Sequence, residues 1–478
     1  MLIRHAGQRQ GPDIDVRVRQ GKVTAIGMLT PDPDEQVVDA AGKLLLPGLN
    51  DHHIHLRAFA TSLDSIPCGP DRNPDAGTLA DRLRDLDNAS SDDWIRGVGY
   101  HESVAGDIDR AWLDRVVPRR PLRIQHRSGR LWVINTAGLR RLAAAVQEQG
   151  EATALLAEQA DGRFFDADAR LGRLIGHREP DIERASRILA AYGVTGLCDM
   201  TPANSTADLC RFRQWRRDGI LRQRVLLAGR HTLAEHCTPS PAPGDDGIAV
   251  GAVKFHLHDH DLPALDTLTD AIASAHAAGR AVAVHCVTEV ALLYTLAALE
   301  DAGTLAGDRI EHASVAPGHL LETLHRLRLT VVTQPNFIRE RGDQYRTDMP
   351  ANEHSWLYRG RAFVEAGVGL AAGSDAPFGD ANPWLAIQAA VDRRTLRGHV
   401  LTAAETLPPA AALDLFLGDL ATPAVPRVLT VGMPADLCLL DGNWPNVARH
   451  PGKVRPVRTW VGGVPVHEAG DGLDVITP

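Results

Sequence analysis

Two histidines separated by one residue are the first candidates for chemistry in this chain. His53 and His55 follow a short apolar run, residues 44–46, which predicts a buried strand that ends in a polar cluster. Side chains alternate between the two faces of a strand, so Asp51, His53 and His55 share one face. Two neutral imidazoles at this spacing can bind one metal ion, with Asp51 supporting them. An isolated His-x-His pair is more often a solvated polar edge, so the metal interpretation depends on the rest of the chain.

Four later residues with ligand or base chemistry each end a short apolar run. They are Lys254, His285, His312 and Asp375. Most of these runs are followed by a helix-like stretch. A parallel β/α barrel collects the residues at the carboxyl ends of its strands on one face. The sequence therefore predicts that these four residues join the two histidines in one site.

Lys254 is the unusual member of this set, because a protonated amine cannot bind a metal ion. An amine that its surroundings keep neutral can react with carbon dioxide to give a carbamate, and the two carbamate oxygens can bridge two cations. An unmodified Lys254 could instead pair with a carboxylate such as Asp259. We favour the carbamate, which makes carbon dioxide a second expected cofactor beside the metals.

The carbamate interpretation divides the other ligands between two divalent cations, with zinc as the expected metal. The first cation is predicted to bind His53, His55 and Asp375, and the second to bind His285 and His312. A hydroxide held between two such ions is available near neutral pH, since each metal lowers the pKa of bound water.

The pattern of strands and helices fits a barrel of this kind. From residue 181 onward, helix-like and strand-like stretches alternate at the short spacing of βα units. Residues 57–180 break this repeat but are structured, which predicts an inserted subdomain. Residues 1–46 and 411–478 hold short strands and turns, and pairing the two ends lets each bury its apolar face. We expect a TIM-like (β/α)8 barrel over 47–410 and a small β-sandwich built from both termini.

Composition argues against several classes of protein. The 478 residues are 44% apolar and 23% charged, which is ordinary for a globular protein. The net charge is -9 without a basic block, so we expect a small-molecule substrate and no nucleic-acid partner. The chain lacks a signal-like start and a membrane-length apolar run, so we expect a cytoplasmic protein without membrane binding. Homo-oligomerisation stays open. Six cysteines without a Cys-x-x-Cys pair argue against a thiolate zinc site.

Six motifs recur in one order along the chain. They are Pro-Gly-x-x-Asp-x-His-x-His at 47–55, Val-Lys at 253–254, Val-His at 284–285, Ile-Glu-His-Ala at 310–313, Gly-Ser-Asp at 373–375 and Gly-Met-Pro-Ala-Asp-Leu at 432–437. With them the chain resembles the amidohydrolase superfamily. It is also similar to the branch with N-substituted formamide deformylases, through residues 128–135 and Glu289, four residues after His285. The resemblance implies a β/α barrel with a β-sandwich and a lysine at 254 that is often carboxylated.

The resemblance also implies a reaction. Metals polarise a substrate carbonyl, a bridging hydroxide attacks it, and Asp375 accepts the proton and passes it to the leaving nitrogen. The expected enzyme is a metal-dependent hydrolase of a non-peptide C–N bond in an N-substituted amide, formamide or cyclic amide. One alternative is a mononuclear aminohydrolase that deaminates a heterocyclic base, although that class commonly places its glutamate three residues after the fifth-strand histidine. Another alternative is a catalytically silent scaffold.

Departures from the branch pattern concern the substrate. The candidate substrate-binding residues are His258, Arg130, Asn135 and His101. Arg130 replaces the usual histidine of Ser-Gly-His, and His101 stands where an acidic residue is common. Arg130 could clamp an anion bidentately or stabilise its own subdomain. His256, near His258, is interpreted as a packed histidine.

Overall fold

The computed structural model describes residues 1–88, 93–148, 161–176, 179–234 and 247–470. These residues form two compact units. The first contains Met1–Leu56 and Ile182–Pro478, and the second contains Arg57–Asp181. The second unit interrupts the first in the sequence, at the position where we predicted an insertion over 57–180.

Eight parallel strands in the first unit form a nearly closed barrel. Numbered in chain order, which is also their order in the sheet, they are β1 Leu49–Ile54, β2 Val194–Asp199, β3 Arg224–Gly229, β4 Ile248–His256, β5 Val282–Cys286, β6 Arg309–His312, β7 Thr330–Thr333 and β8 Gly369–Ala372. The two edges meet where the backbone N–H of Asp375 donates to the carbonyl of His53 (2.7 Å). The predicted TIM-like barrel is confirmed.

Helices follow most of these strands because apolar residues recur at helical spacing between them. In Glu289–Ala302, for example, one face buries residues three and four apart, and the hydroxyl of Thr288 accepts from the N–H of Ala291 (3.0 Å) as an N-cap. The helices of the first unit are Ile182–Ala191, Thr206–Arg217, Leu265–Ala277, Glu289–Ala302, Leu321–Arg326, Asn336–Asp348, Arg361–Glu365, Pro383–Asp392, Pro409–Asp414 and Trp444–Arg449. Short 3-10 turns occur at His231–Ala234, Asp259–Asp261, Gly318–Leu320, His354–Trp356, Ala403–Glu405 and Pro451–Lys453.

The two ends of the chain build a β-sandwich in the same unit. One sheet has the strand order Lys22–Gly27, Ile14–Arg19, Leu2–Ala6 and Val37–Asp39. The other has the order Val464–Glu468, Pro456–Val461, Leu437–Leu440 and Leu45–Pro47. Apolar residues from both sheets, among them Val16, Leu45 and Trp460, form one buried core. The predicted sandwich of both termini is confirmed.

One boundary predicted near the first histidines is wrong. Leu45–Pro47 is not the strand that presents them, since it pairs antiparallel with Leu437–Leu440 in the sandwich. The polar stretch itself is β1, and all six of its residues are buried. Only Gly48 separates the two strands, and a Cβ there would lie 2.2 Å from Cγ2 of Thr195. In the sequence, the polar residues of β1 resemble the end of a strand, because the groups that bind them in the buried strand lie far away along the chain.

The second unit is a mixed five-stranded sheet with helices. Its strand order is Arg163–Phe165, Leu131–Ile134, Leu122–His126, Ile95–Tyr100 and Ile66–Pro67. Its helices are Leu56–Ser62, which begins at the boundary, Ala76–Asp87, Glu102–Ala105, Arg110–Val116, Thr136–Glu148 and Asp168–Ile175. Leu79, Leu83, Leu113 and Ile124 are fully buried in its own core. Among the described residues of both units, no helix combines the length and the apolarity needed to cross a membrane.

Candidate metal centre

His53, His55 and Asp375 converge where β1 and β8 end. Oδ1 of Asp375 lies 3.5 Å from Nε2 of His53 and 3.2 Å from Nε2 of His55. The δ nitrogens are bound elsewhere: Nδ1 of His53 lies 2.5 Å from Oε2 of Glu311, and Nδ1 of His55 lies 3.1 Å from Oγ1 of Thr201. The ε nitrogens therefore face the carboxylate, which is the arrangement that metal-binding histidines adopt.

Two further histidines, from β5 and β6, extend this cluster. The ring centroid of His312 lies 4.7 Å from that of His53 and 4.4 Å from that of His285. Nδ1 of His312 lies 2.7 Å from the amide oxygen of Gln334, so its ε nitrogen carries the lone pair. Burial lowers the pKa of His312 to about 3 and the pKa of His285 well below its ordinary value. Both rings are therefore neutral at pH 7, the form that binds a metal.

The backbone that carries these ligands is held in an uncommon conformation. His312 and Asp375 have φ values of 71° and 55°, in the left-handed region that non-glycine residues rarely occupy. Asp51 anchors this backbone: its Oδ1 accepts from the N–H groups of His53 (3.1 Å) and Ser374 (3.0 Å), and its Oδ2 accepts from the hydroxyl of Ser374. Strain of this kind persists where surrounding contacts impose it, and it is typical of functional sites.

Lys254, on β4, completes the set. Its side chain is buried, and among the described residues its Nζ has no hydrogen-bond partner. Burial lowers the pKa of this amine to about 8, against the opposing effect of Glu311. A buried amine without a partner is unfavourable unless another group binds it. An orphaned amine beside neutral imidazoles and a carboxylate is a donor set that fits divalent metal ions.

Glu311 connects this cluster to a buried arginine, a role that the sequence analysis missed. It is fully buried between His53 and Arg309, whose guanidinium donates to it and to the carbonyl of His52. Burial alone would raise the pKa of Glu311, but Arg309, Lys254 and His53 outweigh it and hold that pKa well below its ordinary value. The ionised carboxylate fixes the tautomer of His53. The only signal in the sequence was the position of Glu311 directly before His312.

Comparison with known proteins decides the family, because residues 36–467 match the Amidohydrolase family. This chain is an amidohydrolase. It is 25% identical over 460 residues to N-substituted formamide deformylase from Arthrobacter pascens, covering 84% of each protein. The predicted resemblance is thus confirmed: the chain is a hydrolytic enzyme of a superfamily whose members bind divalent metal ions.

Two solved structures share the fold of this amidohydrolase. An uncharacterized metal-dependent hydrolase from Pyrococcus horikoshii OT3 has a TM-score of 0.72 and 20% identity, over 95% of this chain and 99% of that one. Atrazine chlorohydrolase TrzN from Arthrobacter aurescens TC1, complexed with zinc, has a TM-score of 0.57 and 14% identity, over 98% and 95%. These similarities extend over nearly the whole chain.

Three predicted substrate-binding residues of the amidohydrolase belong to its second unit. Arg130 donates from Nε and Nη2 to the two oxygens of Asp166. This bidentate ion pair is the stabilising role that we held open against substrate binding. Asn135 is fully buried, and backbone groups occupy all its hydrogen-bonding positions: its oxygen accepts two N–H groups and its nitrogen donates to two carbonyls. We therefore assign Asn135 a structural role, which corrects the prediction. Nε2 of His101 lies 3.4 Å from Glu102.

The fourth predicted substrate-binding residue, His258, lies beside His256, whose ring contacts the candidate ligand His285. β4 ends at His256, whose ring centroid is 4.2 Å from that of His285 and 4.4 Å from that of His258. The His256 residue is exposed, but its ring packs against both neighbouring imidazoles and burial lowers its pKa to about 3, so its interpretation as a packed histidine stays a prediction. His256 is therefore a further candidate for a contact beside the ligands, and His258, which is less exposed, stays the predicted substrate contact.

Proposed function

We propose that this amidohydrolase cleaves a non-peptide C–N bond in a small-molecule amide, formamide or cyclic amide at a two-metal centre bridged by a carbamate of Lys254. The observation that supports the proposal most directly is the buried amine of Lys254 without a hydrogen-bond partner among the described residues. Burial is the main cause of the lowered pKa values of His53, His285 and His312, and the charge of Lys254 adds to each of these shifts. The formamide deformylase relative supports the choice of bond.

We assign the candidate ligands to two metal ions. His53, His55 and Asp375 would hold one cation, and His285 and His312 would hold the other. We expect zinc, since imidazole and carboxylate donors suit it and a zinc complex shares the fold. When bound, two divalent cations supply a hydroxide near neutral pH and polarise the substrate carbonyl.

Asp375 is the proposed proton carrier. Burial alone would raise the pKa of its carboxyl, but His55, His53 and His312 outweigh burial and hold the pKa well below its ordinary value. The carboxylate is therefore ionised before the reaction and can accept a proton at Oδ1. A carboxyl group with a low pKa releases that proton readily, so Asp375 can pass it to the leaving nitrogen.

The carbamate forms when the amine nitrogen of Lys254 attacks carbon dioxide, with formation of an N–C bond and loss of one proton. The reaction needs a neutral amine. With a pKa of about 8, about a tenth of the amine is neutral at pH 7, against about three parts in ten thousand for an ordinary lysine. Reloading of the metal-stripped enzyme with zinc should therefore require carbon dioxide and, at a constant concentration of dissolved carbon dioxide, accelerate about tenfold from pH 7 to pH 9.

Elemental analysis of purified wild-type protein and Lys254→Ala tests the proposal. We expect about two metals per chain in the wild type and one or fewer in the variant. The exposed Lys453 provides the matched control, and Lys453→Ala should keep both metals. One metal per chain that is unaffected by Lys254→Ala would reject the bridged centre and favour the mononuclear deaminase. No metal in any sample would favour the silent scaffold.

Glu289 argues against the deaminase alternative. Its carboxylate lies 3.9 Å from Nε2 of His319, and its side chain is 42% exposed. The residue begins the helix after β5 and has the position of a favourable first-turn acid. It therefore does not act as a buried acid directed at the histidine cluster.

A further inference from the structure

Arg341 lies on the helix Asn336–Asp348, which follows β7 at the barrel face where the ligands converge. Its guanidinium stacks on the ring of Phe337, with Cζ 3.8 Å from the ring centroid. Nη2 donates to the carbonyl of Phe378 (2.5 Å), and the ring of Phe378 packs edge-on against His55, 5.6 Å between centroids. One residue therefore connects Arg341 to a proposed metal ligand.

Arg341 is half-buried, and it differs from the fully buried arginines of the barrel in how few of its donors bind other protein groups. Arg393 donates to the carbonyls of three residues, and Arg309 binds a carboxylate and a carbonyl. Arg341 makes a single hydrogen bond, and no carboxylate of the described residues lies within 4.0 Å of it. A guanidinium carries five N–H donors, so four remain available here. The stacked ring fixes the plane of those donors.

The groups around Arg341 compensate its charge only in part. The hydroxyls of Tyr345 and Tyr358 lie 3.3 Å apart, and burial raises the pKa of Tyr358 well above its ordinary value, so it is uncharged. Glu340 accepts the N–H of Asp380 (3.0 Å), and burial raises its pKa to about 7. Burial opposes the charge of Arg341, but Tyr345, Tyr358, Glu340 and Asp375 outweigh burial and raise the pKa of the guanidinium, so it is charged.

We propose that Arg341 binds a carboxylate of the substrate, so that the enzyme acts on anionic amides such as N-acylated amino acids. The inference rests on the proposed function and specifies its substrate class. A planar guanidinium with unused donors matches the two oxygens of a carboxylate. A single stacked cation beside neutral hydroxyls suits a monoanion better than a multiply charged group. Arg341 thus determines specificity, while the metal ligands hold the reacting carbonyl.

Paired substrates test this specificity. N-formyl and N-acetyl amino acids are compared with their carboxamides, which lack the charge and keep the scissile bond. We expect wild type to prefer the acids and Arg341→Met to lower kcat/KM for them about 10- to 100-fold, mainly through KM, with the carboxamides unchanged. Arg346→Met, at an exposed position of the same helix, is the control and should change neither. Metal content and thermal unfolding verify that the variants are folded.

A binding measurement separates this inference from the proposed function. Levulinate has the shape of N-acetylglycine with a methylene in place of the nitrogen, so it cannot be hydrolysed. Calorimetry on the metal-loaded enzyme should show levulinate binding more tightly than methyl levulinate, with the difference lost in Arg341→Met. A preference for levulinate over methyl levulinate that persists in Arg341→Met, or levulinate binding that is unchanged in that variant, would overturn the role of Arg341. If the wild type hydrolyses none of the amides but still prefers levulinate, the proposed function is rejected and the role of Arg341 is kept.

Discussion

The two units of this amidohydrolase each contain two or more histidines around a carboxylate, yet their hydrogen bonding is opposite. His53, His55 and Asp375 form one cluster, and His101, Glu102 and His126 form the other. In each, one potential ligand atom per residue lies within 4.8 Å of the others. Distance alone therefore does not distinguish the two clusters as metal sites.

The δ nitrogens distinguish them. In the barrel cluster, Nδ1 of His53 donates to an ionised carboxylate, so Nε2 carries a lone pair directed at the shared space. In the second cluster, Nδ1 of His101 and of His126 accept backbone N–H groups at 3.1 Å, so in the neutral rings Nε2 carries the proton. Nε2 of His126 donates to Glu102 (3.3 Å), and Nε2 of His101 lies 3.4 Å from the same carboxylate. A metal ion needs the lone pair, not the proton. The comparison teaches that the hydrogen bond at the far side of an imidazole decides whether it can be a ligand.

The largest effect is expected in the barrel cluster from Asp375→Asn, which removes the proposed proton carrier with little change in shape. We expect kcat to fall about 10²- to 10⁴-fold, because the amide cannot accept and return a proton. Steady-state kinetics on the metal-loaded variant, with metal content measured in parallel, provide the test. Activity close to that of wild type would mean that another group moves the proton.

The next largest effect is expected from Glu311→Gln, which tests the far-side hydrogen bond directly. The change leaves the charge of Arg309 buried without its carboxylate, so the free energy of unfolding should fall by about 3–5 kcal/mol. Zinc affinity should also fall about 10- to 100-fold, since His53 loses the partner that orients it. Denaturant unfolding and competition with a chelator measure both. Glu300→Gln, in an exposed pair with Arg326, is the control.

The smallest effect is expected from Glu102→Gln in the second cluster. The side chain is 49% exposed, so the loss of its ion pairs should cost less than about 1 kcal/mol of unfolding free energy. Metal stoichiometry should stay at the wild-type value because this cluster presents protons rather than lone pairs. A metal count that falls in this variant would remove the distinction between the two clusters.

The sequence predicted the regular elements of the barrel closely. The alternation of helix-like and strand-like stretches expected from residue 181 onward is present, for example in the helix Ile182–Ala191 and the strand Arg224–Gly229. These elements follow from apolar periodicity, which is a local property. The candidate ligands were predictable for a related reason, because polar residues at the ends of parallel strands meet on one face.

The contacts that decide the chemistry were not predictable in this way. Glu311 and His53 are 258 residues apart, so no local pattern shows their hydrogen bond. Asn135 was interpreted from its residue type alone, and its four backbone partners appear only in the folded unit. The interpretation of β1 failed similarly, because the buried partners that permit a polar strand, such as Ser374 for Asp51, are supplied by distant segments.

The single glycine between the sandwich and β1 has a consequence for biosynthesis. Leu45–Pro47 finds its partner only in Leu437–Leu440, and β1 meets β2 only after the inserted unit has been made. Asp51 then bonds to Ser374, 323 residues later. Contacts so distant in sequence form slowly, since the entropy of closing a long loop opposes them. We therefore expect Leu45–Pro47 and β1 to stay without their partners until the later segments have been synthesised, so that the ligand cluster forms only when nearly the whole chain exists.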